Sequence, residues 1–148
     1  MTIRAATPYL FFCGDASQAI ELYTSALGAK VTNVQRFGDM PSGEGGGHTS
    51  PDDRDRILHA HLTIGSVPLM ISDSPKSMDV SAEQRRQTNV QVALDIDDEA
   101  EATRVYAALS QGGQATVPIG PAFWGGKFGM LVDRFGIHWM FNVAKPTP

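Results

Sequence analysis

The chain has 148 residues, 42% of them hydrophobic and 19% charged, with a formal net charge of −4. This length suits one ordinary domain with a buried core, and the composition is that of a globular rather than a disordered protein. The acidic balance argues against nucleic acid as a partner, because nucleic-acid binding needs a basic face. No apolar run approaches the ~20 residues that span a bilayer, so we expect no membrane insertion.

The N-terminal stretch MTIRAATPYLFFCGD has no cationic lead into a long apolar segment with a cleavage site. It does not match a signal peptide, and we expect a cytoplasmic location. The single cysteine, Cys13, lies in an apolar run and cannot form an internal disulfide. It therefore predicts a buried thiol in a reducing compartment.

The first half of the chain predicts a strand, a helix and three further strands. After the apolar run PYLFF comes Asp15, a suitable N-cap, and then apolar residues at helical spacing as far as Gly28. The strands KVTNVQRFG, LHAHLTI and VPLMISD follow, the last two joined by a tight turn at Gly65 and Ser66. Residues 43–56 (GEGGGHTSPDDRDR) predict a mobile loop. Its carboxylates are expected to be solvated, namely Asp52, Asp53 and Asp55.

The second half repeats this order with QVALDI, a helix from Asp98, and the strands QATVPIG, FWGGKFGMLVD and IHWMFNV. The repeat is supported by equal offsets between equivalent residues, from Asp15 to Asp98 and from Tyr23 to Tyr106. Both tyrosines are expected to pack in the core. We predict two βαβββ modules, about residues 5–75 and 88–145, joined by a linker at about 76–87 within a single domain over residues 1–148.

Three groups of motifs carry a family resemblance that extends over nearly the whole chain. They are PYLFF with AIELYTSALGA, LHAHLTI with LMISD, and FWGGKFGMLVDRFGIHWMFNV, with its Phe-Trp-Gly, Asp-x-Phe-Gly and late tryptophan. In order and spacing these resemble the vicinal oxygen chelate superfamily of glyoxalase, bleomycin-resistance and dioxygenase proteins, and within it the PhnB-like branch. The resemblance implies an α+β fold in which mixed and antiparallel strands curl around a concave cleft, with helices outside, usually in a homodimer.

Members of this branch often carry a name tied to demethylubiquinone methylation. A methyltransferase that uses S-adenosylmethionine would need a glycine-rich turn between a strand and a helix. The chain has no such turn, since GEGGG follows a Pro-Ser turn and precedes no helix. The sequence therefore does not support methyl transfer.

The resemblance also implies where a divalent metal would bind, on the first and last strands of each module. Counted from the tyrosine near the end of each helix and from the final strands, the positions are Pro8, Gln91, Met70 and Met140. Proline and a thioether cannot replace imidazole or carboxylate ligands, and only Gln91 offers a weak oxygen. We predict no metal and no other cofactor. The alternative is a divalent metal held by displaced ligands at His59 and His61.

The histidines of LHAHLTI are the predicted acid/base or hydrogen-bonding groups. Because residues two apart on a strand share a face, His59 and His61 point the same way. A two-residue turn would fix the pairing of the hairpin as Ile64 with Val67, His61 with Met70, and His59 with Ser72. This register aims both imidazoles at the cleft, where they can donate, accept or transfer protons. A purely structural role stays open at this point.

Further residues are predicted to line the cleft by strand parity or aromatic character. Phe123 and Trp124 stand between Pro121 and two glycines, where backbone can approach closely, which suits a pocket wall, and packing in the core stays equally open for them. His138 shares the parity of Met140, whereas Trp139 is expected to pack beneath a helix. The complete predicted binding set is Phe12, Met70, Ser72, Gln91, Phe123, Trp124, His138 and Met140.

These patterns predict a metal-free protein of this fold that binds a small, partly apolar organic molecule. If it is an enzyme, cofactor-independent proton transfer by His59 or His61 is the expected chemistry. A binding or sequestration protein of the resistance type, without turnover, is an equally open alternative. Two others are a metal-dependent lyase, transferase or dioxygenase with displaced ligands, and a dimeric interaction module whose cleft has lost its ligand.

Overall fold

The computed structural model describes residues 2–40 and 49–145, and the chain divides after Val80 into two compact units. The first unit contains β1 (Tyr9–Phe12), α1 (Ala16–Leu27), β2 (Lys30–Arg36), β3 (Ile57–Ile64) and β4 (Val67–Asp73). The second contains α2 (Ala82–Arg85), β5 (Val92–Ile96), α3 (Glu99–Ser110), β6 (Gln114–Pro121), β7 (Lys127–Val132) and β8 (His138–Val143). Short 3-10 helices occupy Phe37–Asp39, Pro51–Asp53 and Lys76–Met78.

The two units have the same mixed sheet topology. The strand orders are β1-β4-β3-β2 and β5-β8-β7-β6, with the first strand parallel to the last and the other neighbours antiparallel. The predicted α+β class and the βαβββ order are thereby confirmed, with a separate four-stranded sheet in each module. That both modules make up one domain stays a prediction. Among the described residues, no helix has the length and apolar character needed to cross a membrane.

In the first unit, alternate strand residues face α1 and form the core. The helix packs against β3 and β4. The buried strand residues are Phe12, Ala60, Leu62, Leu69 and Ile71, and they meet Ala19, Tyr23 and Ala26 of the helix. The second unit buries Leu94, Leu131, Trp139 and Phe141 in the same way, together with Ala102, Val105 and Leu109 of α3. The core positions predicted for Tyr23 and Trp139 are confirmed.

The helix boundaries follow the local sequence signals. Gly28 ends α1 in the left-handed conformation, at φ 66°, which glycine adopts without steric cost. Asp98 caps α3, its carboxylate accepting the Glu101 backbone N–H at 3.1 Å. Local residues therefore set where these two helices end and begin.

The start of α1 is held by a residue from the opposite end of its unit, because the predicted N-cap Asp15 makes no side-chain capping hydrogen bond. One oxygen of the buried Asp73, at the end of β4, accepts the backbone N–H groups of Gly14 at 2.8 Å and Ala16 at 3.1 Å. Its other oxygen accepts the N–H of Ile57 at 2.8 Å. A single carboxylate thus ties together the β1–α1 connection and the first residue of β3. Cys13, in that connection, is half-buried rather than buried.

The acidic part of the predicted mobile loop is more ordered than expected. Asp53 is 8% exposed, and its carboxylate accepts the Lys76 backbone N–H at 2.9 Å and lies 3.8 Å from the guanidinium of Arg56. Arg56 in turn donates to both oxygens of Asp79, at 2.8 and 2.9 Å. The prediction that Asp53 is solvated is therefore wrong, because the Lys76 N–H that binds its carboxylate comes from a distant segment. The GEGGG stretch lies outside the described residues.

Tyr106 gives the fold a testable pH dependence. Its hydroxyl lies 3.0 Å from the carbonyl oxygen of Val117 and 2.9 Å from that of Met130, and burial raises the pKa of the phenol above its ordinary value. Because the folded state favours the protonated phenol, this contribution is complete below the ordinary tyrosine pKa and is lost as pH rises through the higher folded value.

We expect Tyr106→Phe to lower the free energy of unfolding by about 1–2 kcal/mol at pH 7, the usual contribution of such hydrogen bonds. Urea titrations at pH 7 and above pH 10 measure both effects. The variant should lose less stability than the parent protein on going to alkaline pH. An equal loss in both proteins would contradict this role of Tyr106.

Candidate functional site

The face of the first sheet that points away from α1 carries an aromatic and imidazole cluster, which we call the histidine face: Tyr9, Phe11, His59, His61 and Met70. The hydroxyl of Tyr9 lies 3.0 Å from Nδ1 of His59. The rings of Tyr9 and Phe11 are stacked, with centroids 4.9 Å apart and planes at 18°. The two imidazoles meet edge to face, at 6.4 Å and 82°.

The hairpin turn sets the register that brings these side chains together. Gly65 has φ +59°, as a two-residue turn with glycine at its first position requires. The predicted pairings of Ile64 with Val67 and of His61 with Met70 are confirmed. Since paired residues share a face, both histidines and Met70 lie on the same side of the sheet, and all three are half-buried.

Two residues of the predicted binding set in the first unit are buried instead of exposed on the histidine face. Phe12 is wholly buried on the side of α1, and its neighbour Phe11, 62% exposed, occupies the open side instead. Ser72 is 5% exposed, and its hydroxyl donates to the Leu58 carbonyl at 2.7 Å. The placement of Phe12 on the open side is therefore wrong, and the Ser72 hydroxyl is already engaged by backbone.

The first-strand position opposite Met70 is also one residue away from the prediction. Tyr9, not Pro8, pairs with Met70, whereas in the second unit Ala93 pairs with Met140. Three residues separate β1 from α1, but only two separate β5 from α3. Counting back from the helix therefore lands on opposite faces in the two units, because side chains alternate along a strand.

The second unit contains an apolar concavity of about 310 Å³, which we call the aromatic hollow. Trp124 is the centre of its aromatic cluster, with its ring centroid 4.8 Å from that of Phe123 and 5.7 Å from that of Phe128, both edge to face. Phe123 is 98% exposed and Trp124 58%. The lining residues, none of them ionisable, are Val117, Pro118, Gly120, Pro121, Ala122, Phe123, Trp124 and Phe128.

Close backbone approach holds the loop that displays these rings. The N–H of Ala122 donates to the Gly126 carbonyl at 3.1 Å, and the N–H of Gly125 donates to the Ala122 carbonyl at 3.1 Å. Gly126 has φ +72°, and a Cβ atom there would lie 2.3 Å from the carbonyl oxygen of Val143. The predicted close approach at this glycine pair is therefore present, but to the protein's own strand β8.

The other predicted residues of the second unit have separate environments. Nε2 of His138 lies 2.7 Å from the Arg86 carbonyl oxygen, and since a carbonyl only accepts, this nitrogen carries the proton. Met140 is half-buried and pairs with Met130 and Ala93. Gln91 is exposed and precedes β5. Within this unit, none of the three lines the aromatic hollow.

Three participants escaped the sequence-based predictions. Tyr9 and Phe11 were missed because strand parity was counted from the helix, although their alternation with Leu10 and Phe12 carries the signal. Phe128 was missed because it lies beyond the turn that carries Trp124. The antiparallel pairing of Phe128 with Gly120 brings it back beside that turn.

Comparison with known proteins matches this topology to one superfamily. A sequence model of the Glyoxalase/Bleomycin resistance protein/Dioxygenase superfamily matches residues 6–141. The chain belongs to this superfamily. Protein YjdN of Escherichia coli (strain K12) is 31% identical over 147 residues, covering 96% of this chain and 97% of YjdN.

Two solved structures share this fold. Protein PA1353 from Pseudomonas aeruginosa is 34% identical and superposes with a TM-score of 0.81, over 97% of this chain and 99% of its own. The PhnB protein from Bacillus cereus is 24% identical, with a TM-score of 0.74 over 95% and 100% of the two chains. At 24% identity, the similarity to the Bacillus cereus protein shows a shared fold alone.

The metal positions implied by the resemblance to this superfamily do not contain suitable ligands. In each unit the facing residues of the first and last strands are Tyr9 with Met70, and Ala93 with Met140. A thioether and a methyl group do not replace the imidazole and carboxylate donors that such ions prefer, and the hydroxyl of Tyr9 already has a hydrogen-bond partner in His59. Within residues 2–40 and 49–145, no three His, Cys, Asp or Glu side chains are grouped as ligands. These residues do not fit a divalent ion.

Proposed function

We propose that this glyoxalase-superfamily protein binds a small, partly apolar organic molecule without a metal ion, and that the aromatic hollow takes its apolar part. The observation that carries this proposal is the hollow itself. Its volume of about 310 Å³ falls at the lower end of the ~300–1,000 Å³ typical of small-molecule sites. Exposed aromatic rings such as Trp124, at 58%, are the side chains that contribute most to such binding.

Binding without turnover is the form of this function that the hollow favours. Its lining has no group that could transfer a proton or attack a substrate. The name of the superfamily includes a resistance protein beside enzymes, and binding without turnover is compatible with such a protein. Acid/base chemistry would fall to the histidine face, where His59 and His61 supply the ionisable groups. Recovery of a chemically altered molecule after long incubation would favour catalysis over binding.

Methyl transfer is not part of the proposal, although the Bacillus cereus neighbour carries a methyltransferase name. That likeness, at 24% identity, shows the fold alone. The strand-to-helix connections are Cys13-Gly14-Asp15 in the first unit and Asp97-Asp98 in the second, and neither is glycine-rich. The homodimer and the cytoplasmic location also stay predictions, and light scattering of the purified protein tests the first.

The chain supplies its own reporter for binding, because it has two tryptophans in opposite environments. Trp124 is 58% exposed in the hollow, whereas Trp139 is wholly buried with its indole N–H bonded to Asp133 at 2.9 Å. In an NMR titration with acetophenone, we expect the indole N–H signal of Trp124 to shift and that of Trp139 to stay. Movement of both signals, or of neither, would contradict binding in the hollow.

Trp124→Ala is expected to weaken acetophenone binding in the hollow roughly tenfold in a titration followed by the ring signals of Phe128, because losing one aromatic contact with the ligand costs about 1.5 kcal/mol. Val90→Ala is the matched control, since Val90 is 69% exposed in the same unit but outside the hollow. It should bind like the parent protein. The titration repeated with EDTA should be unchanged, and a requirement for added divalent ion would overturn the metal-free part of the proposal.

A further inference from the structure

The hydrogen bond between Tyr9 and His59 joins strands that are not neighbours. Tyr9 lies on β1 and His59 on β3, with β4 between them in the sheet. Tyr9 pairs with Met70, and Met70 with His61, so the Tyr9 ring lies in the row of His61 while its hydroxyl reaches Nδ1 of His59 at 3.0 Å. Stacking against Phe11 holds the Tyr9 ring in the position from which its hydroxyl contacts His59.

This hydrogen bond has a consequence for the protons of His59. A neutral imidazole has one nitrogen that donates and one that accepts, and the bond made by one nitrogen fixes the role of the other. A phenol is a better donor than acceptor, because its ring withdraws electron density from the oxygen. The Tyr9 hydroxyl therefore donates to Nδ1, which leaves the proton on Nε2.

The Nε2 atom of His59 is available to a ligand. Among the described residues, the His59 ring has no hydrogen bond besides that to Tyr9, and no buried side-chain nitrogen or oxygen lacks a partner. Nε2 is therefore accessible to solvent instead of sealed in the protein. Beside it, the Phe11 ring is 62% exposed and offers a flat apolar wall.

We propose that Tyr9 is a specificity-determining residue that holds His59 in the Nε2–H tautomer, so that the histidine face selects aryl compounds carrying a hydrogen-bond acceptor such as a ketone oxygen. Nε2–H donates to the acceptor while the aryl ring packs on Phe11. The ligand class rests on the proposed small-molecule function, whereas the tautomer does not. Both parts are measurable on the full-length protein.

Long-range ¹H–¹⁵N correlation of the imidazole rings tests the tautomer directly. The chain has four histidines, and His138 serves as an internal reference because its Nε2 must donate to the Arg86 carbonyl. When the imidazole rings are uncharged, we expect His59 to match His138, with the proton on Nε2 and none on Nδ1. In Tyr9→Phe the two nitrogen shifts of His59 should move toward each other as the tautomers mix, while Tyr106→Phe, the same substitution at a hydroxyl bonded to the Val117 and Met130 carbonyls, should leave them unchanged. A proton on Nδ1, or no response to Tyr9→Phe, would overturn the proposal.

The ligand class is tested with acetophenone and 2-phenylpropene, which share a shape but differ in the ketone oxygen. Binding at the histidine face is followed by the ring signals of His59, and binding in the aromatic hollow by the indole signal of Trp124. The two residues belong to different units. One added hydrogen bond is worth about 1 kcal/mol, so acetophenone should bind here about fivefold more tightly, and Tyr9→Phe should reduce that ratio. Equal affinities would refute the selectivity. Acetophenone shifts at Trp124 but none at His59 would refute the ligand class and leave the proposed function standing. Shifts at neither residue would refute both the ligand class and the proposed function, while the tautomer is decided by the spectrum without ligand.

Discussion

Asp133→Asn is expected to lower the free energy of unfolding by about 3 kcal/mol. The Asp133 carboxylate is 1% exposed, and one oxygen accepts the backbone N–H groups of Phe135 at 2.9 Å and Ile137 at 3.0 Å. The other oxygen accepts the indole N–H of Trp139 at 2.9 Å. An amide nitrogen in place of that oxygen would face the indole donor with a second donor, and it would remove the charge that strengthens all three bonds.

Urea unfolding followed by tryptophan fluorescence measures this change, because Trp139 is buried in the same network. Asp95→Asn is the matched control, since Asp95 is exposed on β5 and the same substitution there should change stability by less than about 0.5 kcal/mol. Two variants of equal stability would show that the buried carboxylate is not what holds the Asp-x-Phe-Gly turn.

Gly126→Ala is expected to destabilise the second unit by about 3 kcal/mol and also to weaken acetophenone binding in the aromatic hollow. A left-handed residue with a side chain costs about 1–2 kcal/mol, and the overlap with a backbone carbonyl adds a similar amount. The added methyl group would lie 2.3 Å from the Val143 carbonyl oxygen and 3.2 Å from the Lys145 nitrogen. Relieving this overlap requires the loop that carries Phe123 and Trp124 to move.

Gly65→Ala separates the two causes. Gly65 also has a positive φ, +59°, but a Cβ atom there meets nothing within 4 Å. This control should lose only the conformational part, about 1 kcal/mol, and should bind acetophenone normally. If the two variants lost equal stability, crowding against Val143 would not be what positions the loop. Normal acetophenone binding by Gly126→Ala would show that the position of this loop does not determine ligand affinity.

The parts of this fold that depend on neighbouring residues could be predicted from the sequence. Gly28 and Asp98 set helix ends through their own conformation and side chain, and the turn at Gly65 fixes a register in which every later pairing follows by alternation. Trp124 could be placed in an exposed turn for the same reason, since proline before the aromatic pair and two glycines after it disfavour a regular strand. The approximate boundaries of the helices and strands followed from the spacing of apolar residues and from the glycines and prolines between them.

The errors involve contacts between residues far apart in the chain, or counts across a loop. Asp53 looks solvated among charged neighbours, and only the folded chain brings the Lys76 N–H to it. Phe12 and Phe11 are equally apolar, so composition could not decide which faces α1. Parity counted from the helix would have decided it, had both modules shared a connection of the same length. The hydrogen bond between Tyr9 and His59 crosses an intervening strand and has no local signature.

The first strand and the helix are joined by three residues in one unit and by two in the other. The two units therefore share a backbone topology but present different side chains on equivalent strand faces. With its helix fixed, an insertion or deletion of one residue at this point exchanges every outward side chain of the strand for its inward neighbour. Tyr9 and Phe11 are exposed residues in one module, while the equivalent strand of the other presents Ala93 and Asp95. A duplicated scaffold can thus acquire a new surface in one step, without a single substitution and without altering its hydrogen-bonded framework.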